Sequence, residues 1–234
     1  MYAFWACKDI GNFGDMVTPY ILEKLGQTVE FSWMQGIALD GSILGVVKPN
    51  MHVYGVGFMN VTDKCESNNI KYVRGEISKA ILKAQGFDVT NIEIHIPAFC
   101  IAEFIQDKKP TKDKDYAFHY TDYSDLGIDV RQPVENVVNQ ILNSKNIITS
   151  SLHAYIVARM YGRGAALVRT KQPVAGDGMK YVDAFSCWGE KSYIPLDIQN
   201  DSGIENELKR TYGNPIKFDN KQFLKDLNDY ICQL

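Results

Sequence analysis

The chain has 234 residues, a formal net charge of −3, and 45% hydrophobic and 23% charged residues, ordinary values for a packed globular protein of one large or two smaller domains. That mild acidity argues against a nucleic-acid scaffold. No run approaches the roughly 20 apolar residues that cross a bilayer, and no basic segment followed by an apolar cleavable one opens the chain, so a cytoplasmic location is expected. Five scattered cysteines, Cys7, Cys65, Cys100, Cys187 and Cys232, form no C-x-x-C pair, which argues against structural zinc and against a disulfide framework.

Tyr2 to Cys7 reads as a first strand, and the turn Gly11-Asn12-Phe13-Gly14-Asp15 leads from it into a helix that ends at Leu25 before Gly26. Thr18-Pro19 resembles an N-cap followed by proline at the first helical position, with Asp15 as an alternative start. The two glycines flanking Asn12-Phe13 let backbone amides approach a ligand, and a carboxylate before a helix suits its dipole. A tight strand-to-helix turn explains the pattern equally well. A second small-residue turn, Leu39-Asp40-Gly41-Ser42, precedes a strand from His52 to Gly57. Ile70 to Val73 is the next strand, and Glu76 to Gln85 carries Ile77, Ala80, Ile81 and Ala84 at helical spacing before Gly86 closes it. Arg74 falls at the carboxyl end of that strand, the edge where open parallel sheets bind ligands. An arginine paired with a carboxylate is equally consistent with the sequence. Ile92 to Ile96 and residues 98–106 complete this half as a strand and a short apolar helix.

Residues 107–115 are polar, of mixed charge and interrupted by Pro110; they read as a linker between a lobe of residues 1–110 and a lobe of residues 111–234. The second lobe restarts with a strand from Tyr116 to His119. Gln132-Pro133 introduces a helix whose Val134, Val137, Val138, Ile141 and Leu142 form a core-facing stripe. Ile147 to Thr149 then forms a buried strand that runs straight into a helix bearing Leu152, Ile156 and Ala158. Between them sit Ser150, Ser151 and His153, where a helix's first amides lack partners and a phosphate or carboxylate is favoured. Ordinary N-cap chemistry accounts for the serines as well. Ala165 to Val168 is a further strand, followed by a glycine-containing loop, a short helix from Lys180 to near Gly189, an irregular polar stretch over residues 197–217, and a closing amphipathic helix from Lys221 to Cys232. Alternating strands and helices on both sides of the linker define an α/β class with two parallel sheets facing across a cleft, and the ligand is expected between them.

Seven pieces in order, Asn12-Phe13-Gly14-Asp15, Gly41-Ser42, Tyr54-Gly55-Val56-Gly57, Val73-Arg74-Gly75, Phe118-His119-Tyr120, Ser150-Ser151-Leu152-His153-Ala154 and Lys180-Tyr181-Val182-Asp183, resemble the polysaccharide pyruvyl transferase family. The resemblance implies two facing Rossmann-like lobes similar to the GT-B glycosyltransferases. It implies transfer of a pyruvyl group from phosphoenolpyruvate to hydroxyls of a sugar in a cell-surface polysaccharide or its precursor, forming a ketal and releasing phosphate. His95-Ile96-Pro97 stands where that family usually carries Gly-Asp-Pro.

Under this resemblance His153 is the first choice for general acid or phosphate ligand and His119 the second, while for Asp15 orientation of the Asn12 loop is preferred over service as base toward the sugar hydroxyl. Arg74, Ser150, Ser151, Asn12, Gly14, Ser42 and Lys180 make up the substrate-binding set, with Arg74 expected to grip an oxyanion bidentately. No cofactor is implied, and the four histidines lie in different elements without metal-ligand spacing. The implied partners are phosphoenolpyruvate and a sugar or lipid-linked oligosaccharide, the latter placing the protein at the inner membrane surface. Two other readings stay open. One is a GT-B-type glycosyltransferase with Glu190 or Asp183 on a nucleotide ribose; the other is a sugar- or anion-binding relative without catalysis.

Overall fold

In the computed structural model, which describes residues 1–9, 11–122, 126–171, 174–190 and 194–233, two separate parallel sheets divide the chain between them. The first contains β1 (Tyr2–Ala3), β2 (Glu30–Phe31), β3 (Gly36–Ala38), β4 (Met51–Tyr54), β5 (Asn69–Val73) and β6 (Glu93–Ile94), in the order β2-β1-β3-β4-β5-β6. The second contains β7 (Lys112–Tyr116), β8 (Ser144–Thr149), β9 (Gly164–Arg169) and β10 (Leu196–Asp197), in the order β10-β9-β8-β7. All pairings among these strands are parallel, so each sheet gathers its strands' carboxyl ends on one edge. Crossovers are made by α1 (Val17–Lys24), α2 (Glu76–Ala84), α3 (Val134–Leu142), α4 (Leu152–Met160) and α5 (Met179–Cys187), and α6 (Asp201–Thr211) and α7 (Asn220–Ile231) close the chain.

The boundaries move where local signals mislead. The first strand stops at Ala3 rather than Cys7, and Cys7 takes a left-handed φ of 49°. Thr18-Pro19 does not cap α1; it lies inside the first turn, where the missing N–H of Pro19 costs nothing, and the Thr18 hydroxyl instead accepts the Asp40 amide at 3.1 Å. The expected linker is in part β7, an edge strand of Lys and Asp residues paired only with β8. Charge on an edge strand blocks unwanted pairing, and it also hides the strand from a hydrophobic pattern. The strand placed at Tyr116 to His119 therefore lies earlier, at Lys112–Tyr116. Residues 201–211, read as irregular, form α6, whose buried Ile204, Leu208 and Thr211 make a narrow stripe and whose Asn200 cap accepts the Gly203 amide. The apolar segment after β6 is a 3-10 helix, Pro97–Glu103.

One hydrophobic core runs through both halves, from Ala3, Phe13 and Ile37 to Val137, Ile147, Tyr155 and Phe223. At its centre α4 buries nearly its whole circumference, from Leu152 to Arg159, against α3, β8, β9 and the 3-10 helix. The last helix crosses back onto the first sheet. Phe223 stacks on His95 at 4.3 Å, the Tyr72 hydroxyl donates to Asp226 at 2.8 Å, and the Asn220 amide donates to Phe99 O at 3.0 Å. Among the described residues no helix is long and apolar enough to cross a membrane.

Candidate functional site between the sheet edges

A cavity of about 110 Å³ is lined by Ala6 and Cys7 after β1, Ser42 and Ile43 after β3, Met59 after β4, His119 and Tyr120 after β7, Ser150 and Ser151 after β8, and Val174 and Ala175 after β9. Every one of these residues follows a strand, so the cavity lies where the carboxyl edges of the two sheets meet. Asn12, Asp15, His153, Lys180 and Tyr181 complete the wall. The structure thus brings Asn12, Asp15, Ser42, His119, Ser150, Ser151, His153 and Lys180 to one place from five separate segments of sequence. Gly14 and Arg74 stand behind that wall.

His153 occupies the second position of α4, whose N-cap Ser151 accepts the Ala154 amide at 3.4 Å. Its Nε2 lies 3.1 Å from Asp40 Oδ1. The Asp40 carboxylate is only 2% exposed and also accepts the amides of Gly41 at 2.6 Å and Ala98 at 2.9 Å. Burial alone would lower the imidazole pKa, but the Asp40 charge and hydrogen bond, with Asp15 beyond, outweigh burial and the nearby Arg74, so the net shift is upward. Gly14 explains the tight NFGD turn: a Cβ there would stand 2.5 Å from His153 Cγ and 2.9 Å from Cε1, and closer still to Nδ1.

The second histidine is tuned the other way. Burial and the Lys180 charge push His119 down to about 4, so it is neutral at neutral pH, with Nδ1 2.7 Å from the Thr121 hydroxyl. Its backbone amide donates to Ser150 Oγ at 2.9 Å, and that hydroxyl donates to Asp122 at 2.5 Å. Lys180 donates to Ala175 O at 2.8 Å, and burial followed by repulsion from Arg74 lowers it to about 8. Asn12 donates to Asp15 Oδ2 at 2.9 Å, which fixes that carboxylate on the wall. A protonatable imidazole backed by a carboxylate, a neutral imidazole and a lysine therefore converge on one small polar space.

Arg74 does not present its guanidinium fork to this space. It is 3% exposed and donates through Nε to Asp183 at 2.8 Å, through Nη1 to Ser42 at 2.5 Å and through Nη2 to Phe58 O at 2.7 Å. Asp183 is fully buried and also accepts the Ser78 amide and hydroxyl, each at 2.7 Å. The expected oxyanion grip is thus replaced by a buried ion pair that bridges the two halves, and Gly57 is needed because a Cβ there would strike the guanidinium. Asp183 is sealed from any ribose, and Glu190 lies 3.6 Å from both Arg159 and Arg210.

Asp40, Cys7, Tyr120 and Tyr181 stand at the site although none of them was assigned a role from the sequence. Asp40 carries a readable signal, a carboxylate before a glycine turn at a strand's carboxyl end. The Cys7 thiol lies 3.2 Å from the Tyr120 hydroxyl, a contact across 113 positions that nothing local foreshadows. Among the described residues no cluster of three or more potential metal ligands occurs.

Sheet order and site together define a two-lobed α/β protein of the GT-B-like class. No family model and no curated protein matches the sequence. Among solved structures, the wall teichoic acid polymerase TagF, in a variant soaked with CDPG, is similar over 99% of this chain and 87% of its own, with a TM-score of 0.50 and 12% identity. An uncharacterised protein from Klebsiella pneumoniae is similar over 79% of this chain and 86% of its own, with a TM-score of 0.45 and 14% identity.

Proposed function

We propose that this chain is a transferase of polysaccharide biosynthesis that moves a pyruvyl group from phosphoenolpyruvate onto two hydroxyls of a sugar. The observation that carries the reading is the small cavity in which His153, backed by Asp40, shares the wall with Lys180 and Asp15. About 110 Å³ suits a three-carbon phosphate ester and falls below the roughly 300–1,000 Å³ of sites for larger ligands. Lys180 and the amino end of α4 favour the donor's anionic groups. The raised His153 is suited to deliver a proton to the enol methylene near neutral pH.

As that carbon gains the proton from His153, the first sugar hydroxyl bonds to the neighbouring carbon and gives its own proton to Asp15, which then gives it up to the neutral His153 imidazole, so that both groups return to their starting state. Phosphate departs, the second hydroxyl closes the ketal, and its proton leaves with phosphate.

A second reading is group transfer from a nucleotide-linked donor. It is favoured by the fold shared with TagF, whose structure was obtained with CDPG. Phosphate release from phosphoenolpyruvate across a panel of galactosides, mannosides and N-acetylhexosaminides tests the first reading. Sugar-dependent release supports it, and protection against thermal unfolding by nucleotide-sugars but not by phosphoenolpyruvate favours the second.

A further inference from the structure

A second cavity, of about 920 Å³, adjoins the first and shares Val174 and Tyr181 with it. It is built on the carboxyl end of β9 and the start of α5, and Val61 and Ile77 of the first half close it from the other side. The strip that separates the two spaces is firmly anchored. Asp177 accepts the Val61 amide at 2.9 Å and the Met179 amide at 3.0 Å, and its own amide donates to Asn60 at 3.1 Å. Gly176, with φ of +100°, packs against Met59, where a side chain would not fit. Tyr181 forms the partition, with Lys180 Nζ 5.3 Å above its ring.

The chemistry of the larger space differs from that of the smaller. Its walls are mainly apolar, and its charged residues are Arg169, Lys171 and Asp177. Asp177 is already engaged by backbone amides, whereas the Arg169 guanidinium lies 3.8 Å from Asp197 and is 65% exposed. An exposed pair at that distance contributes little and is readily exchanged for another anion. The mouth therefore offers two cations to a bound molecule. The volume falls within the range of built ligand sites.

On the pyruvyl-transfer reading, the geometry points to the large cavity as the acceptor room and to the acceptor as a saccharide carrying a phosphate or diphosphate, which Arg169 and Lys171 hold while its hydroxyls reach the donor past Tyr181. The apolar walls then face whatever the diphosphate is esterified to, a prenyl chain or a nucleoside.

The test is binding by calorimetry to the full chain of three probes bearing one sugar: a short-prenyl diphosphate sugar, a nucleoside diphosphate sugar and the neutral methyl glycoside. Phosphoenolpyruvate protection against thermal unfolding is measured in parallel. A diphosphate probe is expected to bind at least tenfold tighter than the glycoside, with affinity that falls as salt rises. The double variant Arg169→Ala/Lys171→Ala should erase that preference and leave phosphoenolpyruvate protection unchanged. The tighter of the two diphosphate arms identifies the source. Equal binding of the neutral glycoside, a preference that survives in the double variant, or consumption of the nucleotide probe without phosphoenolpyruvate overturns the proposal. Retained diphosphate preference without phosphoenolpyruvate protection overturns the donor reading alone.

Discussion

Gly14→Ala places one methyl group in the space held by the His153 imidazole. Ordinary contact begins near 3.4 Å, and the new Cβ would lie at 2.5 Å from the ring's Cγ, so the ring must retreat by about 1 Å. The Nε2 to Asp40 Oδ1 distance of 3.1 Å cannot survive that shift as a good hydrogen bond. Loss of this charge-assisted contact costs about 1.5–3 kcal/mol, and a misplacement of that size in a reacting group costs on the order of 100-fold in turnover. The backbone at position 14 is outside the left-handed region, so the effect is steric and local. With Asp40 removed from the imidazole, burial prevails and the His153 pKa falls. Phosphate release and an NMR titration of the histidine ring protons read both consequences. Turnover within twofold of the parent together with an unchanged His153 titration would refute the reasoning.

Asp183→Ala leaves the Arg74 guanidinium buried without its carboxylate. Denaturant unfolding should show a loss of about 3–5 kcal/mol, and a loss under 1 kcal/mol would mean the pair does not join the halves. His95 is 3% exposed and burial lowers it to about 4, so the unfolded chain takes up its proton first as pH falls. Stability should therefore drop by about 3 kcal/mol from pH 6.5 to pH 4, and His95→Gln should flatten that limb of the curve. The contribution of His153 has the opposite sign, because its raised pKa adds stability below 6.5 that is lost as pH rises through the folded value. Phe223→Ala removes the ring that seats α7 on His95 and Tyr72 and should cost about 3–5 kcal/mol, measured by chemical denaturation; a cost near zero would place the anchor of α7 elsewhere.

The strand-turn-helix junctions were legible because each combines a short β-branched run, small residues and then helical spacing, and parallel topology forces such junctions onto one edge. That is why Asn12, Ser42, His119, Ser150 and His153 could be gathered from sequence alone. Partnerships across the fold could not. The contact of His153 with Asp40 spans 113 positions and that of Arg74 with Asp183 spans 109, and both depend on how the second half docks on the first. The same docking turned Arg74 from an expected ligand grip into an interior tie. β7 and α6 escaped notice for a different reason: one is a charged edge strand and the other has a narrow stripe, so neither shows the apolar period that marks a buried face.

The most direct test uses the chain's four histidines as reporters of donor binding. In an NMR titration with phosphoenolpyruvate at neutral pH, the ring resonances of His153 and His119 should move together and saturate, while those of His52 and His95, which lie outside the cavity, should stay in place. Unmoved His153 and His119 signals at saturating phosphoenolpyruvate would contradict the assignment of this cavity as the donor site.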